Sequence, residues 1–411
     1  MSGNAAYKRP ELLAPAGDLE KLRFAFAYGA DAAYAGAGEF SLRANSGFDL
    51  KEIEQGIGIA HGMGKRLFLA LNAFLRDDDL KALPAYLEQL APLAPDALIV
   101  SDPGVFRLCM RYAPGIPLHI STQANNMNSG TLRFWSDLGA SRVVLSRELS
   151  LAQAAAAAEM ADIECEIFVH GAICISYSGR CLISSYLTGR SANSGDCAQP
   201  CRWRYALCEE KRPGEYLPIE EDDRGAYFFN SRDLCLLPLL PELIRGGFSS
   251  WKIEGRNKSA YYVANVTRIY RAALDSFLSF PDEWHCMEEW LRELEKVSHR
   301  QYTYNFALSQ PDCSSYRYAE GQPVHGYDFV AVARSVDDGL LELEQRNHFQ
   351  VGDEIEILLP NGGLCVLPVS DMFDDAGQRI LSACHPKQIV RVPCEFPSDA
   401  ELPLICRRAV R

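Results

Sequence analysis

Residues 11–35 read ELLAPAGDLEKLRFAFAYGADAAYA. A short apolar run, Glu11–Ala16, is followed by Gly17 and Asp18, an amphipathic stretch Leu19–Tyr28, and a second run, Asp31–Ala35. Continuous apolar runs suit parallel strands buried on both faces better than half-exposed strands, which would alternate. Asp18 stands where a helix needs an N-terminal cap. The stretch therefore predicts a strand, a helix and a second strand. The pattern repeats as far as about His170, with strand candidates at Arg66–Leu71, Ala97–Ser101, Pro117–Thr122, Arg142–Ser146 and Cys165–Val169. Helical candidates lie between them at Leu50–Met63, Leu80–Ala91, Gly104–Tyr112, Ser129–Leu138 and Ser150–Met160. With an eighth strand candidate at Ser250–Ile253, the expectation is a (β/α)8, TIM-barrel-like domain. A doubly wound open sheet is the alternative, but no GxGxxG fingerprint follows the first strand.

The barrel would occupy residues 1–300, with a Cys-rich loop at 170–205 and a charged excursion at Glu209–Gly225. A long helix is expected at about Lys258–Phe280, packed through Tyr262, Val266, Ile269, Tyr270, Ala273 and Phe277, with Arg268 and Arg271 on its polar side. From residue 320 to 411 short strands alternate with Gly, Asp and Asn turns: Phe329–Arg334, Leu340–Gln345, Glu354–Leu359, Gly363–Val369, Gln388–Val392 and Leu402–Arg408. These predict a small C-terminal β-barrel module.

Among 411 residues, 48% are hydrophobic and 23% charged, an ordinary globular balance. The N-terminus shows no apolar signal region, and no run approaches the roughly 20 apolar residues of a membrane span, so a soluble cytoplasmic protein is expected. The net charge of −13 speaks against a general nucleic-acid coat but leaves room for a local basic path.

Four of the fourteen cysteines, Cys174, Cys181, Cys197 and Cys201, fall in one Gly- and Ser-rich loop, with Cys165, Cys208 and Cys235 nearby. Converging thiolates favour zinc or an iron–sulfur cluster over hard cations. The spacing matches neither a zinc ribbon nor a ferredoxin run, so residue spacing alone leaves the two metals even. Function in a barrel belongs at the C-terminal ends of the strands. Arg147, Glu148, His170, Lys252, Glu254 and Arg256 would gather there, as an internal ion-pair network, an anion site, or both.

Several stretches, in one order, resemble the signature of the peptidase U32 family. They are Pro10–Gly17 (PELLAPAG), Tyr28–Ala32 (YGADA), Ser146–Ser150 (SRELS), Glu166–Cys174 (EIFVHGAIC) with Ser178–Ser184 (SGRCLIS), and Lys252–Arg256 (KIEGR). Cys197-x3-Cys201-Arg202-Trp203 and Asn230–Asp233 look most like the branch that hydroxylates the wobble uridine of tRNA. The resemblance implies an oxygen-independent hydroxylase with a [4Fe–4S] cluster, and prephenate, a dicarboxylate, as hydroxyl source. It implies Cys174, Cys181 and Cys197 as ligands, with Cys235 as the fourth and Cys201 as its rival.

Arg147, Lys252 and Arg256, with Arg43 as an outside choice, would anchor the dicarboxylate, since arginine grips carboxylates in pairs of hydrogen bonds. His170 would move a proton, or be a hydrogen-bonded core histidine; Glu148 and Glu254 would orient the cations. Arg202, with Arg180, Arg190, Trp203, Arg204 and Tyr205, would receive the anticodon loop of tRNA. The alternatives are a U32-type, collagenase-like peptidase or a hydroxylase of rRNA or a quinone precursor. For a peptidase, neither a Gly-x-Ser-x-Gly elbow nor a His-Glu-x-x-His helix is present.

Overall fold

The computed structural model describes residues 7–41, 47–174, 232–308, 326–395 and 401–410. Within the Cys-rich loop and the excursion after it, it describes 176–177, 180–181, 183–190, 192, 197–200, 207–208, 216–217, 221–222 and 225–226.

Eight parallel strands form the barrel: β1 (Glu11–Pro15), β2 (Ala32–Ala37), β3 (Arg66–Leu71), β4 (Ala97–Val100), β5 (Leu118–Ile120), β6 (Arg142–Val144), β7 (Glu164–Ala172) and β8 (Ser250–Ile253). They pair in chain order, and β8 pairs with both β7 and β1, which closes the sheet. Closure removes the edges that the open-sheet alternative would leave.

The helices α1 (Leu19–Ala27), α2 (Leu50–Gly62), α3 (Asp77–Leu90), α4 (Pro103–Tyr112), α5 (Ser129–Asp137) and α6 (Leu151–Glu159) link the first seven strands. Asp18, Asp49, Asp102, Asn128 and Ser150 each cap the next helix through a side-chain acceptor. The helix α3 starts at Asp77, ahead of the expected Leu80. Asp79 accepts from the Arg76 backbone N–H, and Asp77–Asp79 put three acidic side chains in the first turn, where the helix dipole favours them. β7 outruns the expected Cys165–Val169, because a short antiparallel strand, Asp233–Cys235, pairs with it as far as Ala172.

Inside the barrel, Leu13, Ala32, Tyr34, Phe68, Ala70, Ala97 and Ile99 pack as a core distinct from the outer one. Below them lies a buried charge network. Arg142 Nη1 donates to Glu11 at 2.6 Å and to Glu166 at 3.3 Å, and Lys252 Nζ donates to Glu166 at 2.8 Å. Burial alone would raise Glu166, but Lys252 and Arg142 pull its carboxyl down to about 2. Glu11 is instead raised by burial, which outweighs Arg142 and Arg66; Arg66 is half exposed and so better screened. His119, with its ring 4.9 Å from Phe68, is lowered to about 3 by burial and by the cations Arg142 and Lys252.

That depression gives a pH prediction. Below about pH 6.5 the unfolded chain protonates this histidine while the folded one stays neutral to about pH 3, so stability falls as pH drops through that window, by about 1.4 kcal/mol per unit. Denaturant unfolding at pH 7 and 5.5 should show His119→Gln losing about 1 kcal/mol less than wild type over that interval. Equal losses would refute the assignment. Glu166 acts in a lower window, contributing stability above its unfolded pKa near 4.5 that disappears as pH falls toward 2.

After α7 (Ile183–Thr188) and α8 (Leu240–Arg245), β8 leads into α9 (Ala260–Ser279) and then α10 (Glu288–Glu295). The expected apolar stripe of α9 is buried, but Arg268 and Arg271 are not on a polar face: Arg268 is wholly buried and Arg271 nearly so. The physical reason is that α9 packs on α1, α10, β1 and a strand of the C-terminal sheet: Arg268 reaches Gly363 O at 2.9 Å, and Arg271 pairs with Asp31 at 3.1 Å. Arg268 meets Glu293, and Arg407 reaches Glu293 at 2.8 Å and Glu356 at 2.6 Å.

The C-terminal module is a six-stranded antiparallel sheet of β9 (Tyr327–Asp337), β10 (Leu340–Gln345), β11 (Glu354–Leu358), β12 (Leu364–Pro368), β13 (Ile389–Pro393) and β14 (Leu404–Ala409), in the order β12-β11-β14-β9-β10-β13. Tyr28 ties it to the barrel, donating to Leu358 O at 2.8 Å and accepting from Ile405 N at 2.9 Å. No described helix is long and apolar enough to cross a membrane.

Candidate active site

At the C-terminal end of the barrel, Tyr34 joins three of the expected residues. Its hydroxyl donates to Ile253 O at 3.1 Å and Glu254 Oε2 at 3.0 Å, while its ring lies 4.3 Å from Lys252 Nζ and 5.7 Å from the Arg256 guanidinium. Nothing in the sequence singled out Tyr34. The only signal is one large side chain among the small residues of Ala32–Ala37. Arg256, 5% exposed, also contacts Ser41 Oγ at 3.4 Å, and Gly36 gives it room, since a Cβ there would lie 3.1 Å from Nη1.

The expected cations divide by depth. Lys252 is 4% exposed, bonded to Glu166 and set 5.6 Å from the Phe168 ring, so it belongs to the charge network below rather than to the mouth. Its position follows from strand alternation, which turns Lys252 inward in register with Phe168.

Arg147 occupies the rim. Its Nη1 donates to Ala172 O at 3.0 Å, its guanidinium lies 4.9 Å from the Phe168 ring centre, and its charge acts on the Cys174 thiol. Burial raises the Cys174 pKa; Ser176 N–H and Arg147 oppose that, and Cys181 and Cys197 add to it. Cys174 is thus near enough to both Cys181 and Cys197 to feel their charge. Glu148, half-buried, lies where its charge reaches the Tyr177 phenol.

The loop is pinned to the barrel. Arg180 Nη2 donates to Gln123 O at 2.8 Å, and Gln123 Oε1 accepts from Asn72 Nδ2 at 3.0 Å, so the ends of β3 and β5 meet the loop. Gly171, at φ +109°, permits the exit from β7: a Cβ there would stand 2.3 Å from Glu254 O.

His170 is buried in an aromatic cage, 5.2 Å from the Tyr302 ring, 5.5 Å from Tyr270 and 6.1 Å from Tyr262. Burial, above all, lowers its pKa to about 3. The structure therefore places it against α9 as a neutral core group, not at the mouth between strand and thiols. Cys235 sits beside it, opposite His170 in the ladder and four residues short of Cys174. Its thiol lies 4.0 Å from the Tyr270 hydroxyl and is pushed up to about 12 by burial. The register thus sets this sulfur on the short strand paired with β7, packed against Tyr270.

Among the described residues no group of three or more His, Cys, Asp or Glu side chains is arranged to hold a metal ion. In donor chemistry the thiol trio suits a soft metal or an iron–sulfur cluster, with a backbone N–H to Cys197 Sγ from Gln199 at 3.3 Å. Cys201, Arg202, Trp203, Arg204, Tyr205 and Arg43 lie outside the described residues.

Comparison with known proteins gives consistent matches along the chain. Residues 17–317 match the model of peptidase family U32, and residues 325–405 match that of the peptidase family U32 C-terminal domain. The "tRNA hydroxylation protein P1" of Bacillus subtilis is 37% identical over 398 residues, covering 95% of this chain and 94% of its own. The "tRNA hydroxylation protein P" of Escherichia coli is 37% identical over 400 residues, covering 87% of each. The "23S rRNA 5-hydroxycytidine C2501 synthase" of Escherichia coli is 40% identical over 270 residues, which is 66% of this chain and 40% of that protein.

Proposed function

The chain belongs to the peptidase U32 family, and from that premise we propose that it is an RNA hydroxylase acting on the wobble uridine of tRNA. Relatives named for tRNA hydroxylation, aligned over nearly the full length, support the substrate class. The observation that carries the site is Arg147, a cation on the barrel rim whose charge reaches the Cys174 thiol.

In this reading Cys174, Cys181 and Cys197 would hold a [4Fe–4S] cluster, with Cys235 or Cys201 as the fourth donor. When bound, such a cluster supplies one-electron chemistry. Arg147 and Arg256 would grip the two carboxylates of prephenate as hydroxyl donor, with Glu254 and Tyr34 holding the Arg256 side of the mouth in place. Lys252, already paired with Glu166, would set the electrostatics beneath.

The decisive experiment is nucleoside mass spectrometry of tRNA from a strain lacking the gene, complemented with wild type or variants. Loss of 5-hydroxyuridine and its derivatives, restored by wild type, is expected. Unchanged tRNA modification would refute the proposal, and changed rRNA or quinone hydroxylation instead would redirect it.

Arg147 provides a finer test. Arg147→Ala should lower kcat/KM for prephenate by about 10- to 100-fold, as expected for a lost charged hydrogen bond, with little change in thermal stability. Unaltered prephenate dependence would remove it from the donor site.

A further inference from the structure

We infer that Tyr186 is a stacking platform for an unpaired base of the RNA substrate, an assignment that rests on the RNA reading above. It is 88% exposed, more than any other large hydrophobic residue among those described. A single exposed apolar side chain is ordinary; its setting is what distinguishes this one.

Tyr186 stands on α7, which begins two residues after Cys181. The wholly buried Ser184 accepts from Ala198 N at 3.0 Å, locking the helix to the residue that follows Cys197. Thr188 Oγ1 donates to Ser184 O at 2.7 Å, and Gly189, at φ +71°, closes the turn by donating from N to Ser185 O at 3.0 Å. A short helix held between two of the thiols therefore presents its tyrosine outward at the lip of the site, with Leu187, 42% exposed, beside it.

Charge identifies the occupant. Arg180 and Arg190, both exposed, stand at either end of α7. From residue 173 to 204 the sequence carries four arginines against one aspartate, within a chain of net charge −13. A basic segment on an acidic protein, bearing a rigidly mounted aromatic ring, matches a single strand whose phosphates meet the arginines and whose base meets the ring. Uridine chemistry in an anticodon loop requires the target to leave its stack, and an exposed ring beside the thiols offers a neighbouring base a replacement surface.

The test uses the full-length protein, purified anaerobically, and a fluorescently labelled anticodon stem–loop, with anisotropy for Kd and hydroxylation assays for KM and kcat. Tyr186→Ala should raise Kd and KM about tenfold or more, the size of one lost base stack. Tyr186→Phe should restore binding to within about threefold, because stacking needs the ring and not the hydroxyl. Iron content and melting temperature should match wild type, and affinity for a fully paired duplex should not change. If wild type hydroxylates the stem–loop and Tyr186→Ala binds it equally well, the platform is refuted while the RNA reading stands. If wild type neither binds nor hydroxylates RNA, the RNA reading fails and takes the platform with it.

Discussion

Cys174→Ala and Cys181→Ala proteins, purified without oxygen, are expected to be colourless, to hold almost no iron or sulfide, and to leave tRNA without hydroxylated uridine. Wild type should carry about four irons and four sulfides per chain, the content of one cubane cluster. The effect should be near total, because Cys174 is an electrostatic neighbour of both Cys181 and Cys197, and removing one corner leaves the remaining ligands too few for a stable cluster. Iron and sulfide assays, visible absorption and nucleoside analysis on the same preparations separate loss of the metal from loss of turnover. Iron-free wild-type protein with full activity would overturn the assignment. The same series identifies the fourth donor, since only one of Cys235→Ser and Cys201→Ser should lose the cluster. Cys235→Ser has a second consequence in either case: a hydroxyl would replace a fully buried thiol beside Tyr270.

Glu166→Gln should destabilise the protein by about 3–5 kcal/mol, the cost of leaving buried cations without their counter-charge. Glu166 is 1% exposed and bridges Arg142 and Lys252, whose side chains are 3% and 6% exposed. Glutamine keeps the shape and loses the charge, so cavity formation does not confuse the result. Denaturant unfolding of wild type and variant at pH 7 reads the difference. The double variant Glu166→Gln/Lys252→Met, which removes one cation with the anion, should recover part of the loss, and the recovery measures the coupling within the pair. A loss below about 1 kcal/mol would mean that water or a neighbour screens the network.

Both results bear on the two roles that charged strand residues were expected to share. An internal network exists, but its centre is Glu11, Arg142 and Glu166 rather than the charged residues expected at the mouth. All three stand at or near the N-terminal ends of apolar strands, a position that was visible in the sequence and could have marked them. Of the cations expected at the mouth, Lys252 belongs to this network, whereas Arg147 and Arg256 lie near the rim.

The strand–helix periodicity was legible because it is local: runs such as Arg66–Leu71 and Ser250–Ile253, and caps such as Asp18 and Asp102, are decided by neighbours in the chain. The thiols Cys174, Cys181 and Cys197 were legible for the same reason, as close neighbours in one loop. What the sequence did not determine was which face each long-range partner would meet. Arg268 and Arg271 sit in a pattern that reads as a solvated face, yet Arg268 is buried where the C-terminal module meets α9 and Arg271 is buried against Gly29 and Asp31. His170 and Cys235 share a motif or a spacing with the site, but the antiparallel register of Asp233–Cys235 sets them side by side against α9. Register and domain docking depend on contacts between residues far apart in the chain, so only the tertiary structure settles them, whereas periodicity and capping are written within a few residues.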